Sequence, residues 1–432
     1  MTERRDRRDI LKAAAVAGAL GLAGCVGGDD DGGENGSENG GENGGEAGGE
    51  INLGLVMGVT GDLENLGPPI RDGAQAVAEQ INDADSDWTV STQFEDTETT
   101  PQTGVDGAQA VVDAGNPMFV GALASTVSLD IADAVTLEEG VVQMSPASTA
   151  VNYSTLDEDL DTTFTWRTTP SDAFQGPVAA NIALDRLGVE SVSTVARDDA
   201  YGRGLANAFV DAFEEGGGTV QSEVLIDPSR ESFTADLQTA LGNDPDMLYV
   251  VAFPGEGQFL FRDFYESFNR PELPILVSDG LQDAALPDDA GQDIETFSNV
   301  AGTGPGISDD VASGLDAYQE RVDDGIFVRE SYDAAAVLSL ARAAAGSDDA
   351  AEIAGSIRDV TSGGGTEVTA GNLVEGIETA GRGEAVEYQG VSRPLEFDEN
   401  GDVSTPVYEY FDWTTDDQGE PALNTIDIVV DD

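Results

Sequence analysis

The sequence predicts an α/β protein of two lobes, each a parallel sheet covered by helices, joined by a hinge of several chain crossings. Three observations carry this. Short apolar runs alternate with helical patterns in two successive series, the arrangement that builds parallel sheets from βαβ units. About 380 residues follow a polar N-terminal stretch, more than one ordinary core accommodates. Hydrophobic residues make up 40% of the chain in spite of a formal net charge of −65, which separates it from an acidic disordered polymer.

In chain order, the first segment is a leader. Arg4, Arg5, Arg7, Arg8 and Lys12, the only lysine, precede the apolar run Ala13 to Ala23 and the step Leu22-Ala23-Gly24-Cys25. A basic region, an apolar region and a small-residue cleavage site read as an export signal over residues 1–24. The apolar run, about 12 residues, falls short of the roughly 20 that span a bilayer. Arg7-Arg8 followed by Ile10-Leu11-Lys12 resembles a twin-arginine signal, and Leu-Ala-Gly-Cys resembles a lipoprotein box in which Cys25 takes the lipid. The expected place is the extracellular face of the cell membrane, with a lipid anchor added after twin-arginine export. Residues 25–50, nearly all Gly, Asp, Glu, Asn and Ser, read as an acidic flexible tether.

The folded part opens with a strand at Ile51 to Val59, a helix at Pro68 to Asn82 and a strand at Trp88 to Phe94. A helix at Val105 to Ala114, a strand at Met118 to Leu123, a helix at Val127 to Glu139 and a strand at Val141 to Met144 complete the first series. The second series begins with a helix at Ala173 to Leu187 and a strand at Val192 to Val195. It continues as helix Tyr201 to Glu215, strand Val220 to Ile226, helix Phe233 to Leu241, strand Met247 to Ala252, helix Gln258 to Phe268 and strand Ile275 to Val277. Asp309 to Thr379 is helix-rich, most clearly at Ser331 to Ala345, and the tail after Val386 turns back to strands. Those later segments complete both lobes if residues 51–169 and 305–392 form the first, and 170–304 and 393–432 the second. The two lobes are then Rossmann-like, with crossings near Thr169, Gly304 and Arg393.

Composition excludes much chemistry. Without the leader the chain has 14 Lys+Arg against 81 Asp+Glu, a net charge of about −67. Such a charge rules out nucleic acid as a natural partner and repels the compact state in dilute salt. At molar salt the Debye length shrinks to about 3 Å, so the acids fit a protein adapted to very high salt, as in a halophilic archaeon. With no histidine there is no Ser-His-Asp or Cys-His site and no imidazole zinc site. With no lysine beyond the leader there is no Walker-type phosphate loop and no lysine nucleophile or Schiff base. One cysteine allows no disulfide within the chain. No cofactor and no metal are expected. Asp398-Glu399-Asn400-Gly401-Asp402 has calcium-like acid spacing but lacks the pattern of an EF-hand, and a hairpin turn on Asn400-Gly401 is the simpler reading.

Ligands of open parallel sheets sit beyond the carboxyl ends of the strands, against helix N-termini. Two consecutive turns suit that place: Ala124-Ser125-Thr126 after Leu123, and Ser145-Pro146-Ala147-Ser148-Thr149 after Met144. Either set of hydroxyls alone could simply cap a helix.

A longer set of residues carries a family resemblance. It comprises Gly61, Gly67 and Gly73 after the first strand, Ile81-Asn82, and Gly140-Val141-Val142-Gln143-Met144-Ser145-Pro146. Arg167-Thr168 with Asp172 and Gly176, Asp199-Ala200-Tyr201-Gly202-Arg203-Gly204, and Ser331-Tyr332-Asp333-Ala334-Ala335 follow. In this order and spacing the chain resembles the type I periplasmic-type substrate-binding proteins of ABC transporters, in the branched-chain amino-acid (Leu/Ile/Val) receptor family. The resemblance runs from Ile51 almost to the C-terminus. It implies that Ser125 or Thr126 and the turn Ala147, Ser148, Thr149 grip an amino-acid head group. It also implies that Tyr201 closes over the ligand and that Asp279 pairs with its ammonium. Leu66 stands where the family often has an aromatic, and of the pair Ala252-Phe253 only Phe253 could act as the later second-lobe aromatic. Both departures bear on the side-chain pocket. The function implied is capture of a small molecule, an amino acid above all, by a monomeric, non-catalytic receptor that closes about its hinge and docks on ABC permease subunits. Relatives with this fold also bind amides, urea or aromatic acids, and the same fold could serve a signalling complex. A carboxylate-based hydrolase would need two acids facing one another across the cleft, and only Asp279 is an obvious one.

Overall fold

The computed structural model describes residues 48–157, 160–308, 311, 314–416 and 418–430. The leader, Cys25 and the tether up to residue 47 lie outside them. The last two tether residues, Gly49 and Glu50, are already strand.

The first sheet is all parallel. Its strands are β1 (Gly49–Met57), β2 (Trp88–Asp96), β3 (Met118–Gly121), β4 (Val142–Ser145) and β5 (Thr165–Arg167), in the order β2-β1-β3-β4-β5. The helices between them are α1 (Gly67–Asn82), α2 (Pro101–Asp113) and α3 (Ser125–Ile131). The last runs on through a π-turn at Ala132–Thr136 to Leu137–Glu139. Buried central strands read as continuous apolar runs rather than alternation, and Leu53, Leu55, Val56 and Met57 are all fully buried. Proline in the first turn starts α1 and α2, where its missing N–H is not needed.

The second sheet begins with parallel strands β6 (Ser191–Arg197), β7 (Thr219–Ile226), β8 (Met247–Val251), β9 (Ile275–Val277) and β10 (Val300–Pro305). Helix α4 (Asp172–Asn181, continued as a π-turn at Ile182–Arg186) leads into it, and α5 (Ala200–Glu215), α6 (Thr234–Ala240) and α7 (Pro254–Ser267) connect its strands. The chain then returns to the first sheet as α8 (Val328–Ala345), α9 (Ala350–Ser362) and α10 (Leu373–Gly381). A small parallel pair, β11 (Thr366–Val368) and β12 (Val386–Tyr388), accompanies them. Helix α8 is buried along nearly its whole length, with residues from Val328 to Ala343 in the core beside α1. Finally β13 (Val407–Thr415) pairs antiparallel with β10, and β14 (Pro421–Val430) antiparallel with β13. The order is β14-β13-β10-β9-β8-β6-β7.

The strand β10, Val-Ala-Gly-Thr-Gly-Pro, gives no apolar signal because its glycines make room for neighbours. A Cβ on Gly302 would lie 2.3 Å from the Phe411 ring, and one on Gly304 would lie 2.0 Å from Gln282 Oε1.

Three crossings join the sheets: β5 to α4, β10 toward α8, and the run before β13. At the first, the Thr168 hydroxyl donates to Glu330 O (2.8 Å), and the Tyr408 hydroxyl donates to Ser171 O (2.7 Å). Asp333 pins the approach to the third: its carboxylate accepts from the N–H groups of Val391 (2.8 Å) and Ser392 (3.0 Å) and from the Tyr388 hydroxyl (2.8 Å). Buried Arg393 then pairs with Glu330. The crossing expected near Arg393 comes later, between Val403 and Val407. Residues 397–403 still lie on β5, where the Arg167 N–H donates to Gly401 O (3.1 Å) and the Phe397 ring meets Trp166 edge-on at 5.4 Å. The turn inside this segment has Gly401 at φ +82° and is flanked by an antiparallel bridge between Phe397 and Val403. Asp398 Oδ1 accepts from the N–H groups of Asn400 (2.8 Å) and Asp402 (3.0 Å). These bonds close a turn. Among the described residues no group of three or more acidic side chains is placed to hold a metal.

Candidate functional site

A cavity lies between the sheets at the carboxyl ends of their strands, where ligands of parallel sheets gather. Leu63, Leu66, Ile70, Leu123 and Phe327 make an apolar wall. Ser125, Ala147, Tyr201, Phe253, Asp279 and Gly280 make the rest. The free space is small, ≈ 20 Å³, room for a water molecule or two. Five residues singled out from the sequence therefore come together: Ser125, Ala147, Tyr201, Phe253 and Asp279.

The other three take different places. Ser148 is fully buried; its hydroxyl faces Ser128 of α3, Oγ to Oγ 2.7 Å, and lies 3.2 Å from Leu123 O, which ties its turn to the end of the preceding strand segment and to α3. Ser125 does the same from the other side, its hydroxyl accepting from the Ala150 N–H at 3.2 Å. Thr126 reaches across the cleft and accepts from the Ala200 N–H at the start of α5 (3.3 Å). The Thr149 hydroxyl is buried beside Asp172 without forming a well-aligned hydrogen bond. The Asp172 N–H, in turn, donates to Thr149 O at 2.8 Å.

On the second sheet the site is built on three successive strand ends. Tyr201, in the first turn of α5, lies with its hydroxyl 2.9 Å from Asp279 Oδ1 and 2.8 Å from Ser278 Oγ, and accepts from the Gly280 N–H at 3.2 Å. Only glycine lets the chain come so close, because a Cβ on Gly280 would lie 2.5 Å from Ala252 O and 2.9 Å from the Phe253 ring. Phe253 stacks on Tyr201 with centroids 5.3 Å apart, and the Arg197 guanidinium lies 3.7 Å from the Phe253 centroid. Arg197 is ion-paired within its lobe to Asp199 (2.6 Å) and Glu256 (2.8 Å). Burial pushes Glu256 up to about 7, against the pull of Arg197.

Asp279 is 2% exposed and follows β9 directly. Burial raises its pKa to about 6, even though hydrogen bonds from Tyr201 and Gln175 (Nε2 to Oδ1, 2.9 Å) favour the charged form. A second carboxyl stands beside it. Asp172 is fully buried at the start of α4 and neither oxygen has a hydrogen-bond partner. Burial and then the charge of Asp279 hold it well above the usual carboxylate range.

At the mouth, contacts bridge the two lobes. Asp62 meets Arg197 at 3.3 Å, and Asn65 Nδ2 lies 2.9 Å from a carboxylate oxygen of both Asp283 and Asp289. Sequence reasoning missed Asp172, Gln175 and the Asp62–Arg197 pair. Asp172 was in view within the Arg167-Thr168…Asp172…Gly176 signature, but nothing local marks a first-turn acid as more than a helix-dipole partner. Phe327 was also missed. It sits at φ +61°, an unusual backbone for a bulky residue, and sequence does not show that.

Comparisons with known proteins agree with this architecture. Residues 50–380 match the family model described as periplasmic binding protein. A Leu/Ile/Val-binding protein homolog 3 of Brucella melitensis is 25% identical over 370 residues, covering 84% of this chain and 91% of that one. Leu/Ile/Val-binding protein BraC3 of Rhizobium johnstonii is 29% identical over 317 residues, 72% and 83% of the two chains. Among solved structures, the leucine-binding protein LivK of Thermotoga maritima superposes with a TM-score of 0.71 at 23% identity, covering 88% of this chain and 98% of that one. A solute-binding protein of an ABC transporter from R. palustris, solved with 4-hydroxybenzoate, gives 0.70 at 15% identity, covering 88% and 97%. The two parallel-dominated sheets, the cleft at their strand ends and the match over most of the length make this chain a member of the periplasmic binding protein family.

Proposed function

We propose that the chain is an extracellular solute receptor that captures an amino acid with an apolar side chain in the interlobe cleft and delivers it to an ABC importer. The observation that carries this is Asp279, a buried carboxylate on a cavity whose opposite wall is Leu63, Leu66, Ile70, Leu123 and Phe327. A buried carboxylate needs a cationic partner, and an α-ammonium brings one while the apolar wall takes the side chain. Ser125 and the backbone N–H groups opening α3 would receive the carboxylate. The names of the Brucella, Rhizobium and Thermotoga relatives support the same ligand class. Capture works by hinge closure at the three crossings, driven by contacts better made when the lobes meet. The protein itself catalyses nothing in this reading and works as a monomer anchored through Cys25. Among the described residues no helix is long and apolar enough to cross a membrane.

The test is thermal unfolding of the mature protein in several molar KCl against amino acids, amides and aromatic acids. A true ligand at about 100 times its Kd adds roughly 2.7 kcal/mol. Stabilisation by leucine, isoleucine or valine supports the reading. Stabilisation by 4-hydroxybenzoate or an uncharged amide alone overturns the ligand class and leaves the receptor architecture standing.

Closure makes a second prediction. Asp62, 41% exposed, meets the 5% exposed Arg197 across the cleft, and in this reading the contact parts when the cleft opens. Asp62→Asn is expected to weaken ligand binding about two- to fivefold, the scale of a partly exposed ion pair, without lowering the melting point of the ligand-free protein. A lower melting point with unchanged affinity would show the pair to be a fixed structural contact.

A further inference from the structure

We propose that Arg197 is a positioning residue: it sets the Tyr201–Phe253 wall of the cleft and, by taking Asp62 from the first lobe, makes closure of the lobes and the setting of that wall one event. The first half is geometry within the second lobe. The second half rests on reading the cleft as the ligand site.

Arg197 ends β6 and is buried, yet it does not line the cavity itself. Its guanidinium is shared among three carboxylates. Nε donates to Asp199 Oδ2 at 2.6 Å, Nη1 to Glu256 Oε1 at 2.8 Å and Nη2 to Asp62 Oδ2 at 3.3 Å. The two shorter bonds stay inside the second lobe, and each fixes the start of a helix. Asp199 caps α5, its carboxylate accepting from the Gly202 N–H at 2.9 Å. Glu256 Oε1 accepts from the Phe253 N–H at the start of α7, also at 2.9 Å. Tyr201 stands in the first turn of α5 and Phe253 immediately precedes α7, so one side chain aligns both rings of the wall.

The face of the guanidinium completes the arrangement. It lies 3.7 Å from the Phe253 centroid, Phe253 stacks on Tyr201 at 5.3 Å, and the Tyr201 hydroxyl is 2.9 Å from Asp279 Oδ1. A planar cation held along its edges by two acids lies flat on a ring, which a lysine ammonium on its flexible stem does not reproduce. The first lobe also comes close to the same place. A Cβ on Gly255, in the first turn of α7, would lie 3.2 Å from the Asp62 Cα, so the helix start that carries Phe253 packs directly against the residue that pairs with Arg197.

Closure and the wall are linked through this residue. With Asp62 in place, all three guanidinium nitrogens are engaged and the ring beneath them is held from both lobes. With the cleft open, Nη2 turns to water, and Asp199 and Glu256 alone hold the plane. Ligand contacts with Phe253 and Tyr201 are thereby tightened by a side chain outside the cavity lining, and Asp62 acts on affinity through Arg197. An arginine that served only to neutralise buried Glu256 would leave the rings where they are when it is exchanged for another cation.

Fluorine NMR of the ligand-free mature protein, labelled with para-fluorophenylalanine and held in several molar KCl, tests the first half without any ligand. The Phe253 line is identified by its loss in Phe253→Leu. Arg197→Lys, which keeps the charge but not the planar fork, should shift that line and leave most other phenylalanine lines in place. An unmoved Phe253 line in the folded variant overturns the proposal. If Arg197→Lys does not fold, Asp199→Asn decides: it keeps a capping side chain on α5 but loosens the guanidinium, and should shift the same line. Titration calorimetry reads the second half, with leucine or with whichever amino acid, amide or aromatic acid stabilises the wild type. Arg197→Lys should weaken binding about tenfold, within the range of a desolvated cation–π contact. Adding Asp62→Asn should then cost nothing further. Additive losses in the double variant would separate Asp62 from Arg197 and overturn the coupling. Stabilisation by an uncharged amide instead of leucine would overturn the amino-acid reading alone, and the same double variant would still decide the coupling on that ligand.

Discussion

Asp279→Ala is expected to abolish the thermal shift given by an amino-acid ligand and to weaken binding by roughly two to three orders of magnitude. The size follows from the site. Truncating one partner of a buried, hydrogen-bonded charge pair costs about 2–5 kcal/mol, much of it from leaving the other charge without a counter-ion. Here the stranded charge would be the ammonium, since Arg167 and Arg197 hold their own acids and no other acid in the cavity lining replaces Asp279. The ligand-free variant should unfold at nearly the wild-type temperature. It loses a carboxylate that burial has already driven to a pKa of about 6, but it leaves the Tyr201 hydroxyl short of one acceptor and Gln175 with Thr303 O as its remaining one (2.9 Å). Titration calorimetry and thermal unfolding of the same samples separate the two effects. Full affinity for leucine in Asp279→Ala would remove the ammonium contact from the mechanism.

Affinity for an amino acid is expected to fall on the acid side of neutrality. Asp279 must be ionised to meet an ammonium, and its pKa in the closed, ligand-free cleft is raised to about 6. Below that value the ligand has to displace a proton, so affinity declines toward acid pH.

The parts of the fold legible in sequence are those where burial writes an apolar run. Ile51 to Met57, Met118 to Val120 and Met247 to Val251 are buried on both faces, and their strands were placed within two or three residues. The strands that escaped notice follow another rule. β5 is Thr-Trp-Arg, whose buried arginine is acceptable only because Asp402, far along the chain, meets it. β10 is glycine-rich because Phe411 and Gln282 need the space, and β11 is three residues long inside a helix-rich stretch. In each case the stabilising partner is remote, and local pattern does not contain it. The site divides in the same way. Ser125 lies at a strand end to which topology directs attention, whereas Tyr201 and Asp279 are marked only by the family resemblance. The inward turn of Ser148, the pairing of Asp172 with Asp279 and the later third crossing depend on how distant segments pack.

The largest expected loss of stability lies away from the ligand. Arg167 is fully buried in the last strand of the first sheet, and its side chain ties β5 to the 397–403 turn through Asp402, to the ligand turn through the carbonyls of Ser148 and Ala150, and to Ser154. Its guanidinium also lies 5.4 Å from the Tyr153 ring centroid. Arg167→Ala strands the Asp402 carboxylate, 11% exposed, and two buried carbonyls, and the expected penalty is about 3–5 kcal/mol, the cost of breaking a buried pair from one side. Burial also fixes the salt dependence. Ions at molar concentration screen exposed pairs but reach this one poorly, so the penalty should be the same in 1 M and 4 M KCl. Arg186–Asp427, whose side chains are 39% and 58% exposed, is the control: removing it should change stability by less than about 1 kcal/mol. The double variant Arg167→Met with Asp402→Leu, which removes both charges, should regain a good part of the loss. A double variant as unstable as Arg167→Ala alone would assign the loss to the carbonyls of the ligand turn rather than to the stranded acid.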